Sequence, residues 1–288
     1  MLDRRKMLQQ AKKGVQEAFS KKDASLIHAV RSIDDLDAVK SLIHQRLDEW
    51  YKINFPEFEV GTEEAYAKIV SEFGDKDFDL EKLTEIVGEN KAIELMQKAE
   101  KSFGANFDLH DKNAIRKLAK ALVNIIETRK ELEEYVREKA KRELKNISYL
   151  TDELLAARLV SLAGGIDKLA EMPASTIQVI GAEKALFKHL KKGTLPPKHG
   201  IIFQNPHVNS APLGHRGKIA RALAAKIAIA SKADAFTGNF IAPKLKATLD
   251  KRFKQIKAMP FDPNKKLQKP LDDKPWKQKK NHFKKRKY

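Results

Sequence analysis

Cations set at helical spacing among alanines are the residues of this sequence best suited to chemistry, and the chemistry is the binding of phosphate. Placed on a helical wheel at about 100° per residue, residues 214–232 put Ile219, Leu223, Ile227 and Ala230 on one face. Lys218, Arg221 and Lys232 share the opposite face with Ala225 and Ala228, while Lys226 falls off it. Small residues between cations let a phosphate backbone approach closely. A merely solvated helix shows the same apolar stripe, but its outer face more often carries mixed charge. Upstream, Lys184, Lys188, Lys191 and Lys192 recur at helical spacing, and Lys198-His199 follows in a loop, giving a second basic edge. Phe187 and Phe203 read as core residues rather than base-stacking platforms. Gln204, Asn205, His207, Asn209 and Ser210 gather in a stretch without acidic residues, where neutral donors suit phosphates, sugars or base edges as readily as they suit solvent.

Catalytic patterns are missing from the sequence. Gly217-Lys218 runs into Ile219 without the earlier glycine of a phosphate-binding loop, and G-x-S-x-G, H-E-x-x-H and G-x-G-x-x-G do not occur. His189, His199, His207 and His215 lie close in sequence, but no carboxylate accompanies them at ligand spacing, so neither a metal nor a cofactor is expected. No enzyme is expected either.

These cations need helices to hold them. Ser32 and Asp35 have capping-box spacing ahead of Val39, Leu42, Ile43, Leu47 and Trp50, and the acidic group Asp34, Asp35 and Asp37 suits a helix N-terminus. That helix should end before Pro56. Shorter amphipathic pieces follow between Thr62 and Phe103, broken at Gly74, Gly88 and Gly104. The longest helix should run from Asp111 to Asn146, with a seam at Ile115, Leu118, Leu122, Ile125, Leu132 and Val136 and with Arg129 at one seam position. A seam of that length needs a neighbour, so Leu118, Leu122, Ile125, Leu132 and Val136 are the expected self-association residues. Residues 151–162 can return antiparallel, closed by Gly164-Gly165, and Met172-Pro173 marks a boundary. Beyond it the pattern predicts helices over 175–180, 181–192, 214–232 and 243–259, with 200–204 an extended linker.

The charge divides as the elements do. The 288 residues carry a net charge of +18, yet residues 181–262 hold 16 Lys and Arg against Glu183, Asp234, Asp250 and Asp262, and residues 263–288 hold 11 against Asp272 and Asp273. The first 180 residues are slightly acidic. A basic half on a near-neutral half implies a polyanionic partner, of which nucleic acid is the commonest. No stretch approaches the roughly 18 apolar residues of a membrane span, and the start Met1-Leu-Asp-Arg-Arg-Lys is no secretory signal. With no cysteine there are no disulfides and no thiolate chemistry.

Three runs carry a family resemblance: Gly181-Ala-Glu-Lys-Ala-Leu-Phe-Lys-His-Leu190, Pro196-Pro-Lys-His-Gly-Ile-Ile-Phe-Gln204, and Arg216-Gly-Lys-Ile-Ala-Arg221 on to Asp234-Ala-Phe236. They resemble the Nop domain, in the form of the archaeal Nop proteins of box C/D RNA-guided 2′-O-methylation particles. Upstream, Arg31-Ser-Ile-Asp-Asp-Leu-Asp37, Leu47-Asp-Glu-Trp-Tyr51 and Phe55-Pro-Glu57 resemble the start of that family's coiled-coil domain, so the likeness spans residues 21–257.

The resemblance implies an all-α scaffold. Its expected layout is a helical lead-in over 1–24, a coiled-coil self-association domain over 25–172, a small helical Nop domain over 173–262 and a disordered basic tail over 263–288. It implies docking on a box C/D guide RNA kink-turn already held by a ribosomal-protein-like partner. Gly181, Ala182, Glu183, Ala185 and Leu186 would meet that partner. Lys184, Lys188, Lys198, His199, Gln204, His207, Arg216, Lys218, Arg221 and Lys232 would meet RNA. Family members carry a further domain ahead of the coiled coil that recruits fibrillarin. Only residues 1–20 precede the likeness here, so fibrillarin is expected in the assembled particle, and the resemblance does not carry its direct binding over to this chain. The expected compartment is the cytoplasm for an archaeal-type chain, the nucleus or nucleolus otherwise. Two alternatives remain at this point: a coiled-coil interaction protein that binds RNA nonspecifically, and a spliceosomal-type Nop-domain kink-turn binder.

Overall fold

The computed structural model describes residues 4–19 and 23–260, and within them every regular element is a helix. The expected basic tail lies outside the described residues. In chain order the helices are α1 (Arg4–Phe19), α2 (Ala24–Tyr51), α3 (Glu63–Phe73), α4 (Leu80–Val87), α5 (Glu89–Glu100) and α6 (Leu109–Glu143). There follow α7 (Lys145–Leu150), α8 (Glu153–Ala163), α9 (Ile166–Glu171), α10 (Ala174–Val179), α11 (Glu183–Lys192), α12 (Pro206–Asn209), α13 (Leu213–Lys232) and α14 (Ala242–Lys257). A 3₁₀ turn covers Ile201–Gln204 and a π-helical turn covers Ala233–Thr237. Among the described residues no helix is long and apolar enough to cross a membrane.

The chain forms two compact units, residues 31–135 on the one hand and residues up to 30 with those from 136 onward on the other. The divisions fall inside α2 and α6, not near Met172-Pro173, because α9 packs on α13 and α8 on the 3₁₀ turn.

In the 31–135 unit the core is aromatic at its centre. Tyr51, Phe55, Phe58 and Tyr66 are buried with ring centroids 4.9 to 6.2 Å apart, in the tilted and edge-on arrangements that ring quadrupoles favour. The Tyr51 hydroxyl donates to the Asp75 carbonyl at 2.6 Å, so its polar end is satisfied inside the core. Glycines break the helices as the spacing predicts. Thr62 and Asp79 cap the N-termini of α3 and α4, and Gly74 ends α3 in the left-handed region.

The start of α2 differs from expectation. Ser32 and Asp35 do not cap a helix, because α2 already begins at Ala24. The physical reason is that Leu26, Val30 and Ile33, all buried, extend the apolar stripe one and two turns upstream. Asp37 lies in mid-helix, where its carboxylate accepts from Arg129 Nε at 2.8 Å. On α6 the stripe of Ile115, Ala119, Leu122 and Ile126 is buried, in steps of four and three. The same steps continue through half-buried Arg129 and Glu133, which pair with each other, to buried Val136 and Ala140. Leu122 and Val136 therefore sit within the folded chain, while Leu118, Ile125 and Leu132 flank the stripe half-buried.

In the unit that contains residues 136–260, α13 is the central helix. It packs against α9, α10 and α14 through Ile219, Leu223, Ile227 and Ala230, all fully buried, and their alanine neighbours Ala220 and Ala224. One buried amide ties the far end together. Asn146 Nδ2 donates to Asp234 Oδ1 at 2.7 Å and to the Asn239 carbonyl at 2.8 Å, and its Oδ1 accepts from the Ile241 and Ala242 backbone. The Asp234 carboxylate in turn accepts the N–H groups of Asn146 and Ile147 at the start of α7. Burial raises the Asp234 carboxyl above its ordinary value even against those hydrogen bonds.

Candidate nucleic-acid interface

The wheel drawn on residues 214–232 describes α13 as folded. Its apolar face is buried, while Lys218, Arg221, Ala225 and Lys232 are exposed and Ala228 and Lys226 are half-buried. Burial of four apolar side chains fixes the helix's rotation, so the cation–alanine face has only one way to point.

Beside the start of α13 stands a stack that no single stretch of sequence announces. The His199 ring lies on Phe203, 4.6 Å between centroids and 14° from parallel. The Arg216 guanidinium lies over Phe203 at 5.3 Å from its centroid. Arg216 is held from behind as well, donating from Nε to the Ala211 carbonyl at 2.8 Å and from NH2 to the Asn209 carbonyl at 3.1 Å. A guanidinium fixed in this way has lost its rotamer entropy before any ligand arrives, so less is lost on each bond it forms. Partial burial, with Arg216 and Lys198 nearby, holds His199 below its ordinary pKa, and its ring is neutral near pH 7. Gly217 packs on the Lys198 side chain, with 3.5 Å available to a Cβ.

The stack rests on a braced turn. Residues 200–204 are no extended linker: Ile201–Gln204 make one 3₁₀ turn, and buried Ile202 is what pulls them in. The Gly200 N–H donates to the Gln178 carbonyl and the Ile201 N–H to the Ile180 carbonyl, both at 2.8 Å, and Gln178 Nε2 donates to the Lys198 carbonyl at 2.6 Å. A Cβ on Gly200 would stand 1.9 Å from the Ile180 oxygen, so only glycine fits there. Opposite it Gly181 takes φ +82°, a conformation a side chain disfavours, and its N–H donates to Glu183 Oε1 at 2.7 Å. Gly181, Ala182 and Glu183 thus form the turn that launches α11.

Every residue of α11 is at least partly exposed. Lys184, Ala185, Lys188, Lys191 and Lys192 are exposed and Leu186 is half-buried. Phe187, expected in the core, is 61% exposed, and among the described residues no helix packs extensively on α11. Phe203 is half-buried in the stack, its ring covered by His199 and Arg216.

The remaining candidates divide. Gln204 is exposed and accepts from Arg158 NH1 at 3.1 Å. Arg158, on α8, adds a cation next to the candidate residues that spacing alone does not reveal. His207 is exposed against Phe253 at 5.0 Å, and its N–H is capped by the buried Asn205 side chain. His189 Nδ1 is bound by the Thr194 carbonyl, and His215 is buried. The structure thus gathers His199, Phe203 and Arg216 by direct contact, with Lys198 against Gly217, carries Lys218, Arg221 and Lys232 on one helix face, and sets Lys184 and Lys188 on exposed α11.

The profile of the Nop family, described as "snoRNA binding domain, fibrillarin", matches residues 32–255. A NOP5 family protein of Methanocaldococcus jannaschii is 43% identical over 249 residues, which are 85% of this chain and 60% of that protein. Nucleolar protein 58 of Candida albicans is 37% identical over 219 residues, 75% of this chain and 42% of that protein. The chain therefore spans about half the length of the curated relatives it matches. A solved structure titled as a fibrillarin/Nop5p complex has a chain of the same fold, with a TM-score of 0.53 and 23% identity over 88% of this chain and 77% of that one.

Proposed function

From the premise that the chain belongs to the Nop family, we propose that it is a non-catalytic scaffold of a box C/D ribonucleoprotein that guides 2′-O-methylation. It docks on a kink-turn RNA already bound by a ribosomal-protein-like partner. The cation–alanine face of α13, set beside the Arg216–Phe203–His199 stack, is the observation that carries this reading. Phosphates meet Lys218, Arg221, Lys232 and Arg216, and the neutral His199 and exposed Gln204 supply further polar contacts. The turn Gly181–Glu183 with Ala185 and Leu186 faces the partner protein, and Lys184 and Lys188 reach from the same helix to RNA. Recognition by phosphate and shape leaves the sequence information to the RNA and the prior partner.

The coiled-coil part, residues 25–172, is proposed to pair two copies through α6. Ile125 and Leu132, half-buried beside the α6 stripe, are the residues that support it, while Leu118 also packs on the core of its own unit. The likeness to a protein of Methanocaldococcus jannaschii favours the archaeal branch, and so a cytoplasmic particle.

The test is a gel shift of the chain on a box C/D kink-turn RNA, with and without the kink-turn protein, against a plain duplex at about 150 mM salt. Binding to the preassembled RNA–protein surface alone is the expected result. Equal, salt-sensitive binding to every RNA would leave a nonspecific polyanion binder instead.

A further inference from the structure

Beyond the C-terminal end of α13, the end of the unit fastened by Asn146 exposes a group of aromatic rings. Phe240 is 54% exposed, Tyr149 45% and Phe236 62%. Tyr149 and Phe240 meet edge to face at 5.6 Å, and Lys246 Nζ sits 5.0 Å over the Tyr149 ring. Exposed rings scattered singly need no explanation, but a contiguous pair with a cation on one face does.

The backbone shows why Phe240 stays outside. Its two neighbours are both clamped to Asn146, the Asn239 carbonyl by Nδ2 at 2.8 Å and the Ile241 N–H by Oδ1 at 2.7 Å. With both peptide flanks fixed on a buried amide, the direction of the residue-240 Cα–Cβ bond is set by the backbone. The ring is presented to solvent by a satisfied and rigid support. Next to it, the start of α14 carries Lys244 and Lys246, with no acid before Asp250. A protein partner would need an acidic surface with its own apolar knob. A polyanion with flat apolar faces matches both features at once, and that is unpaired nucleic acid.

We propose that Tyr149 and Phe240, with Phe236 on the adjoining turn, form a stacking shelf for unpaired nucleotides, and that Lys244 and Lys246 hold the phosphates between them. The shelf rests on the RNA-binding reading above and extends it. The duplex-like part of the RNA is met on α13, and a single-stranded flank is met here.

Fluorescence anisotropy of the full chain with a labelled oligouridylate of about ten nucleotides tests it. Phe240→Ala and Tyr149→Ala are each expected to weaken that binding by about 5- to 30-fold. The same variants should leave a kink-turn RNA without single-stranded flanks, bound with its protein partner, within about twofold of the parent. Phe240→Tyr, which keeps a stacking face, should restore oligouridylate binding, while Phe240→Leu, which keeps only apolar bulk, should not. Matching circular dichroism and thermal midpoints show that the variants are folded. No oligouridylate binding by the parent chain, or equal binding by Phe240→Ala, overturns the shelf and leaves a protein surface in its place. Failure of the parent chain on the kink-turn complex, with the Phe240 effect intact, would instead overturn the docking reading and spare this one.

Discussion

At the scale of single residues, the α13 face makes the sharpest prediction. Each phosphate neutralised releases counterions, so about five contacts give a salt slope near −4 to −5. Lys218→Ala or Arg221→Ala should weaken binding to the RNA–protein complex at all sequences alike and reduce the slope by about one unit each. Slopes measured from affinity against salt that stay unchanged in both variants would remove this face from the interface. These two residues were legible in the sequence because helical periodicity is local, and burial of Ile219, Leu223 and Ile227 obeys it. Arg216 was also within reach, but not what fixes it: its stack on Phe203 and the bond from Arg158 to Gln204 join positions far apart in the chain. Phe187 was misread for the same reason. Whether a ring at an apolar wheel position is covered depends on a neighbouring element, and spacing within one helix does not encode that neighbour.

At the scale of elements, α6 shows both how much a heptad pattern says and where it stops. The 4-3 alternation was visible, yet Ala119 and Ile126 occupy buried positions that Leu118 and Ile125 were expected to fill. An alanine at a close contact attracts no notice in a sequence. Arg129 shares the stripe and bonds to Asp37 and Glu133, which are cations and anions a hydrophobic seam would not contain. This division gives a test of self-association. Leu122→Ala opens a cavity inside the folded chain and should cost about 2–5 kcal/mol in urea unfolding. Leu132→Glu, at a half-exposed position, should leave the unfolding midpoint nearly unchanged while sedimentation velocity shifts from dimer to monomer. A dimer that survives Leu132→Glu with Ile125→Glu added would mean that this face does not pair copies.

The 178–181 and 198–201 turns belong to the same scale. Gly200→Ala must displace the Ile180 carbonyl, for about 1–3 kcal/mol of lost stability, and must loosen the His199–Phe203 stack with it. Gly193→Ala meets nothing within 4 Å and should cost only the backbone strain of its φ of +65°, about 1 kcal/mol. Chemical denaturation of the two variants side by side reads the difference. Equal losses would show that close approach at Gly200 is relieved by a small backbone shift.

At the scale of the whole molecule, charge separates the chain's parts more clearly than sequence boundaries did. The excess of cations over 181–262 was legible by counting, and it fell on the unit that carries the candidate interface. The unit boundaries were not legible, because they lie inside two uninterrupted helices where neither glycine nor proline marks them. Surface ion pairs in one unit and a buried carboxylate in the other should answer acid with opposite signs. In residues 31–135, Lys130 and Lys68 hold Glu64 low, and Lys82 holds Glu72 low. Stability from those pairs is present above the carboxylate range and lost as pH falls through it. In the other unit Asp234 is raised by burial, so its contribution is present at low pH and lost as pH rises through its folded value. Hydrogen exchange followed by mass spectrometry across the carboxylate range should therefore show residues 31–135 losing protection first on acidification. Simultaneous loss in both units would mean that these groups do not govern the response.

The amide at the foot of α7 bears on how long the protein lasts as well as on how it folds. Asparagine ages by an irreversible covalent route, in which the nitrogen of the following residue attacks its side-chain carbonyl and expels ammonia. At Asn146 that nitrogen belongs to Ile147, and it is already committed to Asp234 Oδ2 at 3.0 Å. Were the reaction to proceed, the product carboxylate would stand against Asp234, two like charges where a donor and an acceptor now meet at 2.7 Å. The bonds that clamp the turn therefore also shield it from the chemistry that would undo it, and heat-aged protein should accumulate deamidation elsewhere before it does so here.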